Sequence, residues 1–158
     1  MINPLMDGMD HININYSAKT QLGKFLSGTS YSPIATEDGM FYSVLGYWYW
    51  LITGKKSNEI KKMYGVGVLE YGNLLLKTLG VREVPDLKDK IQRAIKTKIN
   101  TNTKYRELLL YNTLPLKMYS TEGTLGQEFA KETSQYQWVV DYIEKYRKIN
   151  LIVEEING

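Results

Sequence analysis

The chain has 158 residues, of which 43% are hydrophobic and 23% are charged. These values are typical of one folded domain and exclude an intrinsically disordered protein. The formal net charge of +3 is too small to indicate nucleic acid on its own, although it suits an anionic ligand. Cysteine is absent and His11 is the single histidine, which excludes disulfides and zinc sites made of these residues. We therefore expect no metal and no cofactor.

The sequence carries no pattern typical of a membrane or exported protein. It has no run of about 18 apolar residues that could span a bilayer. The first ten residues contain acids and lack the basic run and apolar stretch of a signal peptide. We expect a cytoplasmic protein that does not bind membranes.

The first predicted elements are a hairpin and a buried helix. Asp38 and Gly39 lie between two short β-prone runs, which is a hairpin signal. Ser43 is suited to cap the next helix, over residues 44–52. Because this segment is apolar almost all round, we expect it to be buried on most faces.

Two further helices are predicted before residue 80. Ser57 is suited to cap a short helix over residues 58–64. A second helix over residues 67–79 ends at Gly80, because glycine commonly follows the last turn of a helix.

The clearest amphipathic helix is predicted over residues 86–99. Asp86 is its expected N-cap, and apolar residues follow the helical period at Leu87, Ile91, Ala94, Ile95 and Ile99. A new helix is expected to start at residue 101 or 102 and to run to Leu110.

The C-terminal third combines an extended segment with one more helix. Pro115 favours extended structure over residues 114–120. Ser134 and Gln137 have the spacing of a capping box, and residues 151–156 are compatible with a strand. The predicted fold class is α+β, a mostly helical single domain with a small β-hairpin or sheet.

Two features of the composition leave alternatives open. The consecutive aromatics of residues 48–50 point to three faces of a helix, so they could stack a base or pack in the core. Arg93, Lys96 and Lys98 form a basic side of the 86–99 helix, which could contact a phosphate or be a solvated face.

The stretch from residue 22 to residue 51 resembles the NADAR (YbiA-like) family, and most closely its phage-encoded branch. The matching residues are Phe25, Ser27, Pro33, Ile34, Gly39, Phe41, Ser43, Val44, Tyr47 and Trp48. Residues 89–110 are similar to that family's AI-x-x-K helix with its subsequent asparagine and leucine pair, and residues 114–116 and 138–139 resemble the phage branch. The resemblance covers residues 20–147, with residues 1–19 and 148–158 as extensions of one domain.

The sequence departs from the family at three polar positions. The glutamate regarded as catalytic in N-glycosidase members falls at Leu45, the loop asparagine at Gly28, and a histidine of the phage branch at Met118. Leucine has no proton to exchange and cannot support an oxocarbenium-like centre. The resemblance therefore implies a pocket that keeps its aromatic frame and loses its chemistry.

The leading interpretation is a protein that binds an ADP-ribose-derived nucleotide without cleaving it, as a phage protein sequestering a host immune signalling nucleotide would. The implied ligand-binding residues are Lys24, Phe25, Ser27, Phe41, Tyr42, Ser43, Leu45, Trp48, Lys98 and Tyr119. Of these, Phe25, Phe41, Trp48 and Tyr119 would be the walls, Ser27, Tyr42 and Ser43 the hydroxyl donors, and Lys24 or Lys98 the phosphate contact.

Two other functions stay open. The first is an N-glycosidase acting on an ADP-ribosyl or riboflavin-pathway bond, with its acid at Glu37, Asp38 or Glu122. The second is a protein-binding module whose exposed aromatics contact a partner.

Overall fold

The computed structural model describes residues 1–124 and 127–158, and the chain forms two compact units. The first unit contains residues 1–27 and 103–158, and the second contains residues 28–102. In chain order, the elements are β1 (Ile12–Asn13), α1 (Gln21–Leu26), β2 (Ile34–Thr36), β3 (Gly39–Phe41), α2 (Val44–Ile52), α3 (Gly65–Leu79), α4 (Leu87–Asn100), α5 (Thr103–Tyr111), β4 (Leu116–Lys117), β5 (Tyr119–Glu122), β6 (Phe129–Glu132) and α6 (Gln137–Asn157). The predicted α+β class with a helical majority is confirmed.

The unit of residues 28–102 begins with the predicted hairpin. Strands β2 and β3 pair antiparallel, with Thr36 opposite Gly39. Gly39 has a φ of +109°, a conformation that glycine adopts without steric cost. The chain then enters α2, whose first turn is capped by Ser43, since the Ser43 hydroxyl accepts a 3.0 Å hydrogen bond from the amide of Gly46.

Helix α2 is the centre of this unit and packs against both α3 and α4. Its contact with α3 depends on Gly72, where a Cβ atom would lie 2.2 Å from the ring of Tyr49. Most residues of α2 are buried, as its apolar sequence predicts. Helix α4 buries Ile91, Ala94, Ile95 and Ile99, so the predicted helical period is also confirmed.

Two local predictions in this unit differ from the structure. The segment after Ser57 forms a 3-10 helix, Glu59–Lys62, rather than an α-helix over 58–64. Asp86 occupies the N-cap position of α4 without forming a side-chain cap. Its carboxylate lies instead 3.9 Å from the ammonium of Lys90, one turn later, so an ion pair replaces the cap.

The unit of residues 1–27 and 103–158 combines short strands with α1, α5 and α6. Strand β1 pairs parallel with β4, and β5 pairs antiparallel with β6. Helix α6 packs against α5 and β4, and buries Val139, Val140, Ile143 and Tyr146 on that side.

Two predictions for the C-terminal region are wrong. The capping box of Ser134 and Gln137 does not form, because Ser134–Tyr136 is a 3-10 helix and the Gln137 amide donates to Asp141 at 3.0 Å. The tail of residues 151–156 is helical, since α6 continues to Asn157. The last part of α6 is held by Glu154, whose carboxylate accepts hydrogen bonds of 2.7 Å from the Arg106 guanidinium and from the Tyr111 hydroxyl of α5.

The helices of the described ranges, 1–124 and 127–158, include none that is long and apolar enough to cross a membrane.

Candidate functional site

The loop of residues 28–32 lies at the start of α2 and brings Gly28 into contact with Leu45. The amide of Leu45 donates a 2.8 Å hydrogen bond to the carbonyl of Gly28. A Cβ atom on Gly28 would lie 3.4 Å from the Cβ of Leu45, which is ordinary contact. Gly28 and Leu45, two of the positions at which the resemblance implies lost polar groups, are therefore direct neighbours.

The backbone of this loop is fixed by two further hydrogen bonds. The carbonyl of Thr29 accepts from the amide of Gly65 at 2.6 Å, where α3 begins. The amide of Ser32 donates to the carbonyl of Tyr42 at 2.9 Å. The loop is thus held at both its start and its end, and the groups that it presents have defined positions.

Two side chains at and just after the end of α4, Lys98 and Asn102, reach the same loop. Lys98 is 2% exposed, and its Nζ atom donates to the hydroxyl of Ser30 at 2.5 Å. Asn102 donates to the hydroxyl of Ser32 at 3.3 Å and to the carbonyl of Lys98 at 2.7 Å. Burial lowers the pKa of Lys98 to about 7, because the charged form loses its hydration.

The basic side predicted for α4 is therefore divided between two environments. Lys98 is buried beneath the loop, so the solvated-face interpretation is wrong for this residue. Lys96 and Arg93 are exposed, and Arg93 pairs with Glu37 at 3.3 Å and with Asp89 at 2.9 Å.

A group of three tyrosines surrounds the exposed part of the loop. Tyr31 is 54% exposed and Tyr64 is 51% exposed, and their ring centroids are 4.8 Å apart at an interplanar angle of 62°. Tyr42 contacts Tyr31 edge to face at 5.6 Å. Sequence reasoning missed both residues. Tyr31 lies outside regular elements, where no periodicity marks an aromatic residue, and Tyr64 lies at the end of a predicted helix that the structure ends at Lys62.

The aromatic residues of α2 have separate roles. Trp48 is half-buried, whereas Tyr49 and Trp50 are buried, so the three consecutive rings do point to different environments. Phe41 is fully buried against Tyr47 at 4.6 Å and Trp50 at 5.2 Å. Phe41 therefore supports the helix from inside, and Trp48 is the ring of this group nearest to solvent.

Two of the predicted hydroxyl donors differ in how they are used. Ser43 is fully buried and donates to the carbonyl of Met63 at 2.9 Å while it caps α2. Tyr42 is half-buried beside Tyr31. Of the two, Tyr42 is the one with part of its surface open to solvent.

A second polar cluster lies beside the hairpin of the same unit. The Tyr47 hydroxyl donates to Asp38 at 2.5 Å, and Lys90 donates to Asp38 at 3.0 Å and to Glu37 at 2.8 Å. Burial acts to raise the pKa of Asp38, but the hydrogen bonds from Tyr47 and Lys90 outweigh it and leave that pKa lowered. The pKa of Tyr47 is raised to about 12 by burial and by its bond to Asp38, so Tyr47 stays protonated at neutral pH.

This cluster borders a half-open cavity of about 170 Å³. The cavity is lined by residues of the hairpin, α2 and α4, namely Ala35, Thr36, Glu37, Tyr47, Lys90, Arg93, Ala94 and Thr97. Asp38 is not one of these lining residues; it stays ionised and paired with Lys90, so it is unsuited to donate a proton.

The remaining predicted site residues belong to the other unit. Lys24 is exposed in the last turn of α1, and Phe25 stacks on Tyr105 at 4.3 Å with nearly parallel rings. Ser27 is buried at the C-cap of α1.

Tyr119 is buried, and its hydroxyl lies 2.6 Å from Nε2 of His11, whose Nδ1 lies 2.6 Å from Asp10. Glu122, the third candidate acid, pairs with Lys131 across the β5–β6 hairpin at 3.5 Å.

Comparisons with known proteins agree with this architecture at the level of the fold. The chain is similar to the NMR structure of the E. coli protein YbiA, with a TM-score of 0.62 and 14% sequence identity. The similarity covers 99% of this chain and 97% of the YbiA chain. No protein-family model matches the sequence, and no curated protein matches it either. The chain therefore has a YbiA-like fold.

Proposed function

We propose that this protein binds an ADP-ribose-derived nucleotide and does not cleave it. The observation that carries the proposal is the direct contact between Leu45 and Gly28 at the start of α2. The resembled family has a glutamate and an asparagine at the corresponding sequence positions. Replacement of both polar residues at one place removes the groups that hydrolysis needs there.

The chemistry of the reaction gives Leu45 its significance. Cleavage of an N-glycosidic bond leaves positive charge on the sugar, and a nearby carboxylate stabilises this charge or activates the attacking water. Leucine does neither. If a ribose or a base packs on its side chain, the buried apolar surface contributes about 1–2 kcal/mol to binding.

The surroundings of the loop supply the other contacts that a nucleotide requires. Tyr31, Tyr42 and Tyr64 offer aromatic surface for a base and hydroxyls for hydrogen bonds. Trp48, half-buried on α2 one turn after Leu45, is a further ring that could stack a base. Lys98 offers a cation once a phosphate is bound, because a nearby anion favours its charged form. Lys24, Phe25, Ser27 and Tyr119 stay candidates from the resemblance alone.

The biological role that follows from binding without turnover is sequestration. A phage-encoded protein of this kind would lower the concentration of a signalling nucleotide made by a host defence system. This role rests on the resemblance to the phage branch and on analogy between folds.

A single experiment separates the candidate functions. The purified protein is incubated with a panel of ADP-ribose-derived nucleotides, washed and heated, and the released material is analysed by chromatography. Release of an intact nucleotide supports the proposal, and release of a free base contradicts it. Calorimetry should show saturable binding that Trp48→Ala weakens and Trp48→Phe largely retains, since phenylalanine keeps a stacking face.

A second candidate function is favoured by the cluster of Asp38, Tyr47 and Lys90. Asp38 is ionised, and its hydrogen-bond partners Tyr47 and Lys90 line the cavity, so a sugar bound there would lie near a carboxylate, as in an N-glycosidase. If the protein is an N-glycosidase of this kind, the Asp38→Asn variant would no longer release base from the nucleotide, whereas substitutions of Leu45 would leave base release unchanged.

A further inference from the structure

The C-terminal half of α6 has an aliphatic stripe that none of the described residues covers. Ile149, Ile152, Val153 and Ile156 are between 45% and 77% exposed. Their spacing of i, i+3, i+4 and i+7 places them on one side of the helix. Four aliphatic side chains exposed on one side of a helix form a candidate interaction surface.

The spacing of the stripe is that of a coiled-coil seam. If Ile149 and Ile156 are taken as a positions, Ile152 is a d position and Val153 an e position. Lys148 and Glu155, each one residue before an a position, are then both g positions, and both are exposed. They lie two turns apart on the same flank of the stripe, with opposite charge.

This charge pattern selects the partner and its direction. In an antiparallel pair related by a two-fold axis, the g flank of one helix faces the g flank of the other, so Lys148 of each copy meets Glu155 of its partner. In a parallel pair, the g flank would face the e flank, which carries Val153 and the buried Tyr146 and offers no charge. The two charges are therefore complementary only to an antiparallel copy of the same helix.

We propose that α6 is the interface of a symmetric homodimer, in which the stripe of residues 149–156 packs against a second copy of this chain. The two aliphatic stripes bury each other, and two equivalent Lys148–Glu155 ion pairs set the antiparallel register. The N-terminal part of α6 keeps its contacts with α5 and β4, because Ile149, Ile152 and Ile156 lie on a different side of the helix from Ile143. Val153 forms the edge of the stripe that is nearest to the buried Tyr146. The dimer does not depend on the proposed ligand.

The test is the molar mass in solution, measured by sedimentation equilibrium over a wide range of protein concentration. The unaltered chain should show a reversible dimer, and Ile152→Glu should shift it to monomer. Lys148→Glu and Glu155→Lys should each raise the dissociation constant by about ten-fold, because each places like charges opposite one another at two places. The double variant Lys148→Glu with Glu155→Lys should restore the original value.

Matched controls keep the result interpretable. Lys96→Glu changes an exposed lysine on α4 and should leave the dissociation constant unchanged. Circular dichroism shows whether each variant is folded, and the surface charge variants decide the question if Ile152→Glu does not fold. A chain that stays monomeric at every concentration overturns the proposal, as does a dimer that the single charge reversals leave unchanged or that the double variant fails to restore.

Discussion

The amide of Leu45 donates a 2.8 Å hydrogen bond to the carbonyl of Gly28, so the first turn of α2 is joined directly to the loop that precedes the hairpin. In sequence these residues are 17 positions apart, and the resemblance implies that each stands in place of a polar residue. Substitution of Leu45 tests whether this position corresponds to the family's glutamate.

We expect Leu45→Glu to introduce slow release of base from an ADP-ribose-derived nucleotide. The new carboxylate would stand where positive charge develops on the sugar, and it could also activate water. Leu45→Gln is the control, because glutamine has a shape similar to that of glutamate but carries no charge. Chromatography of the reaction mixture measures the base. Equal and negligible release by both variants would argue against the correspondence of Leu45 with a catalytic glutamate.

We expect Tyr31→Ala and Tyr64→Ala to weaken nucleotide binding, because each removes a half-exposed ring from the face beside the 28–32 loop. Loss of one base-stacking contact costs about 1–3 kcal/mol of binding free energy. Calorimetry measures the affinities, with Tyr16→Ala, an exposed tyrosine of the other unit, as the control. Unchanged affinity in both loop variants would exclude this face as the base site.

We expect the free energy of unfolding to rise as the pH is raised from 7 toward 10.5, through the titration of Lys98. Burial lowers the pKa of Lys98 in the folded protein to about 7, against 10.5 for an exposed lysine. Between these values the unfolded chain holds a proton that the folded chain does not, so raising the pH favours the folded state. The slope is at most about 1.4 kcal/mol per pH unit.

Urea unfolding of the unaltered protein and of Lys98→Met at several pH values measures this contribution. The difference between the two proteins isolates Lys98 from the other groups that titrate in the same range. A difference that stays constant from pH 7 to pH 10 would show that Lys98 keeps its proton in the folded protein.

We expect Tyr47→Phe to lower the free energy of unfolding by about 1–2 kcal/mol, since it removes a buried hydroxyl that donates to an ionised carboxylate. The ring keeps its contacts with Phe41 and Trp50, so the packing of α2 is preserved. Because the Tyr47 hydroxyl lowers the pKa of Asp38, its loss should also raise that pKa, which NMR titration would detect. An Asp38 titration identical to that of the unaltered protein would contradict the role assigned to this bond.

Much of the fold follows from the sequence, because its signals are local. The run of apolar residues after Ser43 predicts a capped and buried α2, and Asp38-Gly39 predicts the hairpin. The apolar period of α4 predicts the burial of Ile91, Ala94, Ile95 and Ile99, although not that of Lys90 and Lys98. Each of these depends on neighbours within one or two turns of the chain. The helical end of α6 could not be predicted in this way. It is held by contacts of Glu154 with two residues of α5, Arg106 and Tyr111, which lie more than 40 positions earlier in the sequence.

The candidate site shows the same division between local and distant information. The resemblance drew attention to Leu45, Trp48 and Lys98 from their order along the chain. Only the tertiary structure could place Lys98 beneath Ser30, because the two residues are 68 positions apart in sequence. The burial that results lowers the pKa of Lys98. The tertiary structure also brings Tyr31, Tyr42 and Tyr64 together around the loop. These contacts could not be predicted from the sequence, because residues outside helices and strands follow no period. The sequence by itself determined which residues could form helices, whereas the packing of separate elements decided which side chains meet.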